Sequence, residues 1–187
     1  VRYNSDGSLD SSFDGDGIRL FQVGPGAEQA YDVAIQANGK LVIAGGVNID
    51  PVRGTDFLAA RFNTDGSLDT SFAAIGYVLM NFGSTGIGVQ AVLALPDGTS
   101  LVAGSVYASS NTSLLGYAYG TWIAHLLSDG TLDTAYGTNG YFYSSVIRNT
   151  EAIQLLRQTD GKTLIIAKGS NNIARVTSSG TLDATFT

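Results

Sequence analysis

Short apolar runs of four to nine residues recur along the whole chain, each bounded by a polar, glycine-centred turn. This pattern predicts strands joined by tight turns. Val1–Asn4 reads as the tail of a strand, and Ile18–Val23 (Ile-Arg-Leu-Phe-Gln-Val) alternates and predicts another. Ala30–Gln36 and Lys40–Val47 form a predicted hairpin about Asn38-Gly39, because Asn-Gly between apolar runs is a strong hairpin signal. Asp56–Asn63, Gly76–Phe82, Val89–Leu95 and Ser100–Tyr107 continue the series. Tyr119–Leu127, Gly140–Ser145, Ala152–Arg157, Thr163–Ala167 and Asn172–Thr177 complete it. Glu151–Gln158 also fits a short helix, but it aligns with Gln29–Gln36 and Gly88–Leu95, both strand-like.

Two kinds of turn repeat. The first is Arg61-Phe62-Asn63-Thr64-Asp65-Gly66-Ser67-Leu68-Asp69-Thr70-Ser71-Phe72, with variant copies starting at Arg2, His125 and Arg175. Its Asp-Gly pair is turn chemistry: Asp bonds its own backbone and Gly accepts positive φ. The Leu and the aromatic that follow read as anchors on a neighbouring core. The Asp after Leu recurs four times in one setting, which favours a capping side chain over a catalytic one. The second turn is centred on Asn38-Gly39, Asp97-Gly98 and Asp160-Gly161. First-turn Gly to second-turn Gly is 32 residues (Gly7 to Gly39), 32 (Gly66 to Gly98) and 31 (Gly130 to Gly161). Second turn to next first turn is 27, 32 and 19. One half of the unit is fixed in length, and the variation lies in the connection that follows.

A period of about 60 residues carrying four short strands suggests β-propeller blades. The 187 residues hold about three blades, so the chain reads as one all-β repeat domain, 1–187, belonging to a larger propeller or assembly. An open three-blade arc exposes apolar faces and strand edges. Self-association or further repeats of the same chain are expected to cover them.

Composition narrows the function classes. Net charge is −6 with no basic patch, which argues against nucleic acid. No apolar run approaches the ~20 residues of a membrane helix. Cys is absent, which removes disulfides and thiolate metal sites. The only Met is Met80 and no signal peptide is visible, so a processed chain or a piece of a longer one is expected.

The paired turns resemble those of the delta-60 repeat family, β-propeller-like repeats of large bacterial proteins. The resemblance rests on Arg-Phe-Asn-x-Asp-Gly-Ser-Leu-Asp-Thr-Ser-Phe and on the Gln-x-Asn/Asp-Gly-Lys-x-Leu-Val-Ala-Gly pattern after it, and it covers the whole chain. It implies propeller blades, a secreted or cell-surface setting, and no catalytic residues. His125-Leu126-Leu127 departs from Arg-Phe-Asn in the third copy, and Ser179 replaces Asp in the fourth. Kelch and WD40 propellers match less well, with no Trp-Asp repeat and one Trp in the chain.

The candidate chemistry is sparse. His125, the only histidine, occupies the slot that holds Arg in the other copies, so a strand-face role is expected. A Gly-x-Ser-x-Gly nucleophile motif is absent. Asp14-Gly15-Asp16-Gly17 is the best metal candidate, since clustered Asp oxygens with Gly turns suit Ca²⁺, although the equivalent stretches lack the acids. The variable connection Ser105–Tyr119 carries Tyr107, Tyr117 and Tyr119, with Trp122 just beyond. Aromatic rings on a polar loop stack on sugars or anchor proteins. These four are the candidate contacts for a protein or surface-glycan partner. The expectation is therefore a non-catalytic structural or binding module outside the cell, with no cofactor. The competing class is a propeller-fold hydrolase or lactonase with a central metal.

Overall fold

The computed structural model describes residues 1–50, 54–81, 86–107, 119–144, 152–168 and 173–186. Eleven strands occupy them: β1 (Glu28–Ile35), β2 (Leu41–Asp50), β3 (Gly54–Phe62), β4 (Tyr77–Met80), β5 (Gly86–Ala94), β6 (Ser100–Tyr107), β7 (Tyr119–Leu126), β8 (Tyr141–Ser144), β9 (Ala152–Arg157), β10 (Thr163–Ala167) and β11 (Ile173–Val176). They form three antiparallel sheets, β1-β2-β3-β4, β5-β6-β7-β8 and β9-β10-β11. Among the described residues there is no helix, and the Glu151–Gln158 region carries a strand.

Each sheet opens with the expected hairpin. Gln36 and Lys40 flank a three-residue loop that ends on Gly39 at φ +81°, and Gly98 and Gly161 repeat it at +84°. This is a type I turn followed by a left-handed residue. A second glycine has a different cause. The ladders between β1 and β2 and between β5 and β6 both slip at the same repeat position, next to Tyr31 and Gln90. Each bulge drives the carbonyl of Gln29 or Gly88 into the place a Cβ would take on Gly45 or Gly104.

Two expected strands differ. Ile18–Val23 is not a strand. Its counterpart β4 pairs with Phe57–Ala60 of β3, and no such pairing is made by Ile18–Val23 among the described residues. Phe21 instead packs edge-on against Phe62, with centroids 5.2 Å apart. Val1–Asn4 contributes only the Tyr3–Leu9 bridge. The third sheet has three strands among the described residues rather than four.

The sheets stack in chain order. Strand β5 lies across β1, β2 and β3, and β9 lies against β5 and β6. One core joins Val42, Phe57 and Ala59 to Val89, Val102 and Trp122. The next joins Leu101, Ala103 and Ile123 to Leu155, Ile165 and Ala174. The middle sheet is thus buried on both faces, which explains why Leu101-Val102-Ala103 is continuously apolar rather than alternating.

Candidate functional site

The repeated first turn is the most elaborated feature of the molecule. In the second copy, Asn63 N–H donates to Ser67 and Gly66 N–H to Asn63, closing the turn with Gly66 at φ +87°. Asp65 Oδ1 accepts both the N–H and the hydroxyl of Ser67. The chain then returns along its own stem: Asp69 N–H donates to the Arg61 carbonyl, and Arg61 N–H to that of Gly76. Asp69 is the hub. Its Oδ1 accepts the N–H and hydroxyl of Ser71, and its Oδ2 accepts Arg61 Nε at 2.6 Å and Lys40 Nζ at 2.7 Å. The capping role read from recurrence is what the geometry shows.

Lys40 comes from the hairpin turn, so Asp69 ties the two turn types together. The tie spans the connection whose length varies between repeats, so the same clamp closes over connections of different length. Asp183 does the same with Arg175 Nε at 2.7 Å and Lys162 Nζ at 2.9 Å. In the third copy both cations change together. His125 replaces Arg and Thr99 replaces Lys; His125 then bridges Asp133 Oδ2 at 2.9 Å and the Thr99 hydroxyl at 2.8 Å. Sequence reasoning did not single out Lys40 or Lys162. The signal was the basic residue directly after the hairpin glycine, lost in the same repeat that loses Arg.

Electrostatics follow the contacts. Burial raises the Asp69 carboxyl, but hydrogen bonds from Lys40, Ser71 and Arg61 outweigh it and hold the group well below the ordinary carboxylate range. Asp183 is lowered likewise by Thr185, Lys162 and Arg175. Asp6, Asp65 and Asp129 are lowered chiefly by the hydroxyl two residues on. These acids favour their charged forms, the opposite of a general acid held neutral.

Successive copies also join one another. Asp14 N–H donates to the Asp65 carbonyl at 2.7 Å, Ala73 N–H to Asp129 at 2.6 Å, and Gly137 N–H to Ser179 at 2.8 Å. Arg2 Nη1 reaches the Thr64 carbonyl, and Arg61 Nη1 reaches that of Ser128. Arg2, Arg61 and Arg175 each lie over the aromatic of their own copy, 4.8–4.9 Å from its centroid. That aromatic seats the glycine of the next turn. A Cβ on Gly66 would stand 3.1 Å from the Phe13 ring, on Gly130 2.8 Å from Phe72, and on Gly180 2.8 Å from Tyr136. In the third copy both ring nitrogens of His125 are engaged, by Asp133 and Thr99, and His125 brings no guanidinium to the third seam. A hollow of about 620 Å³ follows the second seam between Thr70 and Leu132. Asp129 is the titratable residue lining it, and its Oδ1 is bonded to Thr131.

The aromatic candidates separate. Trp122 is fully buried, 5.2 Å from Phe57 in a T-shaped pair, so it is a core residue and presents no ring to a partner. It sits on the face of β7 that also carries Ala124 and Leu126, and sequence proximity to a polar loop did not reveal that face. Tyr107 and Tyr119 pair directly across β6 and β7 and so flank the connection between them. Tyr117 lies outside the described residues. Of the metal candidates, Asp14 is paired with Arg19 at 3.0 Å and Asp16 caps Ile18 N–H. Among the described residues, no three His, Cys, Asp or Glu side chains gather as a metal would require. Nor, among them, is any helix long and apolar enough to cross a membrane.

Two four-stranded antiparallel sheets and a third with three described strands, stacked in chain order and joined turn to turn, make this an all-β repeat architecture. Residues 1–13, 36–72 and 158–186 match a family model described as "Domain of unknown function (DUF5122) beta-propeller". These stretches hold the first, second and fourth copies of the motif with two of the hairpins. The copy with His125 falls outside them, as its altered clamp leads one to expect. No curated protein matches the chain.

Proposed function

We propose that this chain is a non-catalytic structural or binding module of the delta-60 repeat type, working on a secreted or cell-surface bacterial protein. The connections that vary in length between repeats are its contact surface. The observation that carries this reading is the fate of the recurring acids. Asp10, Asp69, Asp133 and Asp183 each bond a basic side chain at their own stem, and each caps a backbone N–H two residues on. The chemistry that repeats is spent inside the fold. What differs between repeats is the connection, above all the one flanked by Tyr107 and Tyr119. The extracellular setting rests on the family resemblance.

The test is binding of the full chain to an array of bacterial and host surface glycans and extracellular proteins, repeated with Tyr107, Tyr117 and Tyr119 changed to Ala. Capture that the triple variant loses, with its melting temperature unchanged, supports the reading. Capture unaffected by the substitutions overturns the assignment of the surface. Metal-dependent turnover of an ester or lactone panel overturns the non-catalytic assignment in favour of a hydrolase.

A further inference from the structure

The three seams are built alike, yet the space beside them is filled differently. Asp14, Ala73 and Gly137 occupy one position of the repeat, each donating its N–H across a seam. Five residues further on stand Arg19, Val78 and Phe142. In the first copy Arg19 reaches back to Asp14, Nη1 to Oδ1 at 3.0 Å, and its guanidinium lies 5.9 Å from the Phe62 centroid. In the third copy Phe142 is buried in the core shared with the third sheet, and Thr138 N–H closes the loop onto the Tyr141 carbonyl. In the second copy the same two places hold only Ala73 and Val78. The hollow of about 620 Å³ lies there, with Ala73, Ala74, Val78 and Leu132 as its apolar lining.

The backbone beside the hollow is strained. Ala73 and Ala74 have φ +50° and +61°, the left-handed region that Asp14 and Gly15 fill in the first copy. Alanine suits that region less well than aspartate or glycine. Strained residues of this kind cluster at ligand clamps. Ile75, which follows them, is 53% exposed, where the other copies have Asp16 and Asn139. The second copy thus keeps a short apolar wall in a conformation that disfavours it.

The polar side of the hollow is acidic. With Ala73 in place of Asp14, the carboxylate that lines it is Asp129. Asp129 spends Oδ1 on the N–H and hydroxyl of Thr131, and Oδ2 makes no bond among the described residues. Arg61 stands near, but its Nε, Nη2 and Nη1 are bonded to Asp69, Ser71 and the Ser128 carbonyl. Arg2 is engaged in the same way in the first copy, and the first seam holds Arg19 as well. The net charge of −6 adds to the attraction for a cation.

We propose that the hollow at the second seam binds an arginine side chain of a partner protein, its methylenes on Val78 and Leu132 and its guanidinium on Asp129 Oδ2. The partner's arginine takes the place that the chain's own Arg19 fills at the first seam. The site shares no residue with the connection flanked by Tyr107 and Tyr119, and its test is independent of that surface.

Titration of the full chain with N-acetyl-Gly-Arg-Gly amide to about 20 mM, followed by NMR, covers millimolar affinity and tests the proposal. The methyl signals of Ala73, Ala74, Val78 and Leu132 are expected to shift and saturate. The same peptide with norleucine for arginine is expected to bind at least about tenfold more weakly, as is the arginine peptide to Asp129→Asn, which keeps the Thr131 cap. Ala73→Asp with Val78→Arg rebuilds the pair of the first seam in the hollow and is expected to abolish binding. The amide spectrum of each variant shows whether the fold persists; if the filled variant does not fold, Asp129→Asn decides alone. No saturating shift at these methyls overturns the proposal. Equal binding of the norleucine peptide overturns it too, since the hollow then takes any apolar chain, and so does binding unchanged by Asp129→Asn. Binding that survives in the folded, filled variant overturns it as well, since the peptide then sits elsewhere.

Discussion

Replacing Gly130 and Gly7 by Ala, one at a time, separates the two reasons for a glycine in the repeated turn. Both have nearly the same backbone, φ +84° and +86°. Holding Ala in that left-handed region costs about 1–2 kcal/mol, and the stiffer unfolded chain returns about 0.4–1 kcal/mol. That balance applies equally at both sites. The surroundings differ. At Gly130 a Cβ would stand 2.8 Å from the Phe72 ring and 2.8 Å from the Ala73 nitrogen, whose N–H is the seam bond to Asp129. Backbone and a fully buried ring cannot move aside cheaply, so overpacking adds about 1–3 kcal/mol. At Gly7 it adds nothing. Gly130→Ala is therefore expected to destabilise by about 1–5 kcal/mol in total, and Gly7→Ala by about 0–2 kcal/mol, with the difference of about 1–3 kcal/mol set by the overpacking. Urea unfolding at protein concentrations too low for association, read as the shift in midpoint at constant slope, gives both numbers. Equal losses at the two sites would refute the reasoning. The glycine would then serve its own turn only, and the seam would carry no stability.

Three further outcomes follow from the clamp. Asp69→Ala leaves Arg61, 5% exposed, and Lys40 without their shared carboxylate, and is expected to cost about 3 kcal/mol in the same urea assay, while Asp10→Ala at the exposed first copy costs far less. His125→Arg with Ala135→Ser restores the guanidinium and hydroxyl of the second copy's clamp, with Thr99 still in place of the Lys, and lets the new guanidinium reach the fourth turn; a gain of about 1 kcal/mol, seen as a higher melting temperature, is expected. Stability should also fall in acid. Asp69 and Asp183 have folded pKa values below their unfolded ones, so the unfolded chain binds protons first. Their contribution is fully present above the unfolded value of about 4 and is lost as pH drops below it, which thermal melts from pH 5 down to pH 2 would register.

Most strands were legible in the sequence because a hairpin glycine and an alternating or continuous apolar run fix both ends of each. The misses have physical causes. Ile18–Val23 has the right pattern, but pattern does not supply a pairing strand. Trp122 stands three residues past the end of a polar connection, yet the face it occupies is set by the register of β7 on β6, where it opposes Gly104. The capping role of Asp69 could be read because it recurs, whereas its partner Lys40 lies 29 residues away and is joined to it only by the stacking of two turns. The seam itself was invisible. Its evidence is an exposed Gly7 beside three buried equivalents, a difference no single copy of the motif can show.

The claim on which the rest depends is that the repeated motif is a joint between successive repeats. Amide hydrogen exchange at Asp14, Ala73 and Gly137, followed by NMR, addresses it directly, because each of these N–H groups bonds only across a seam. Protection comparable to that of the central strands β2 and β6 is the predicted result. Exchange as fast as that of the exposed turn amide of Gly7 would contradict it.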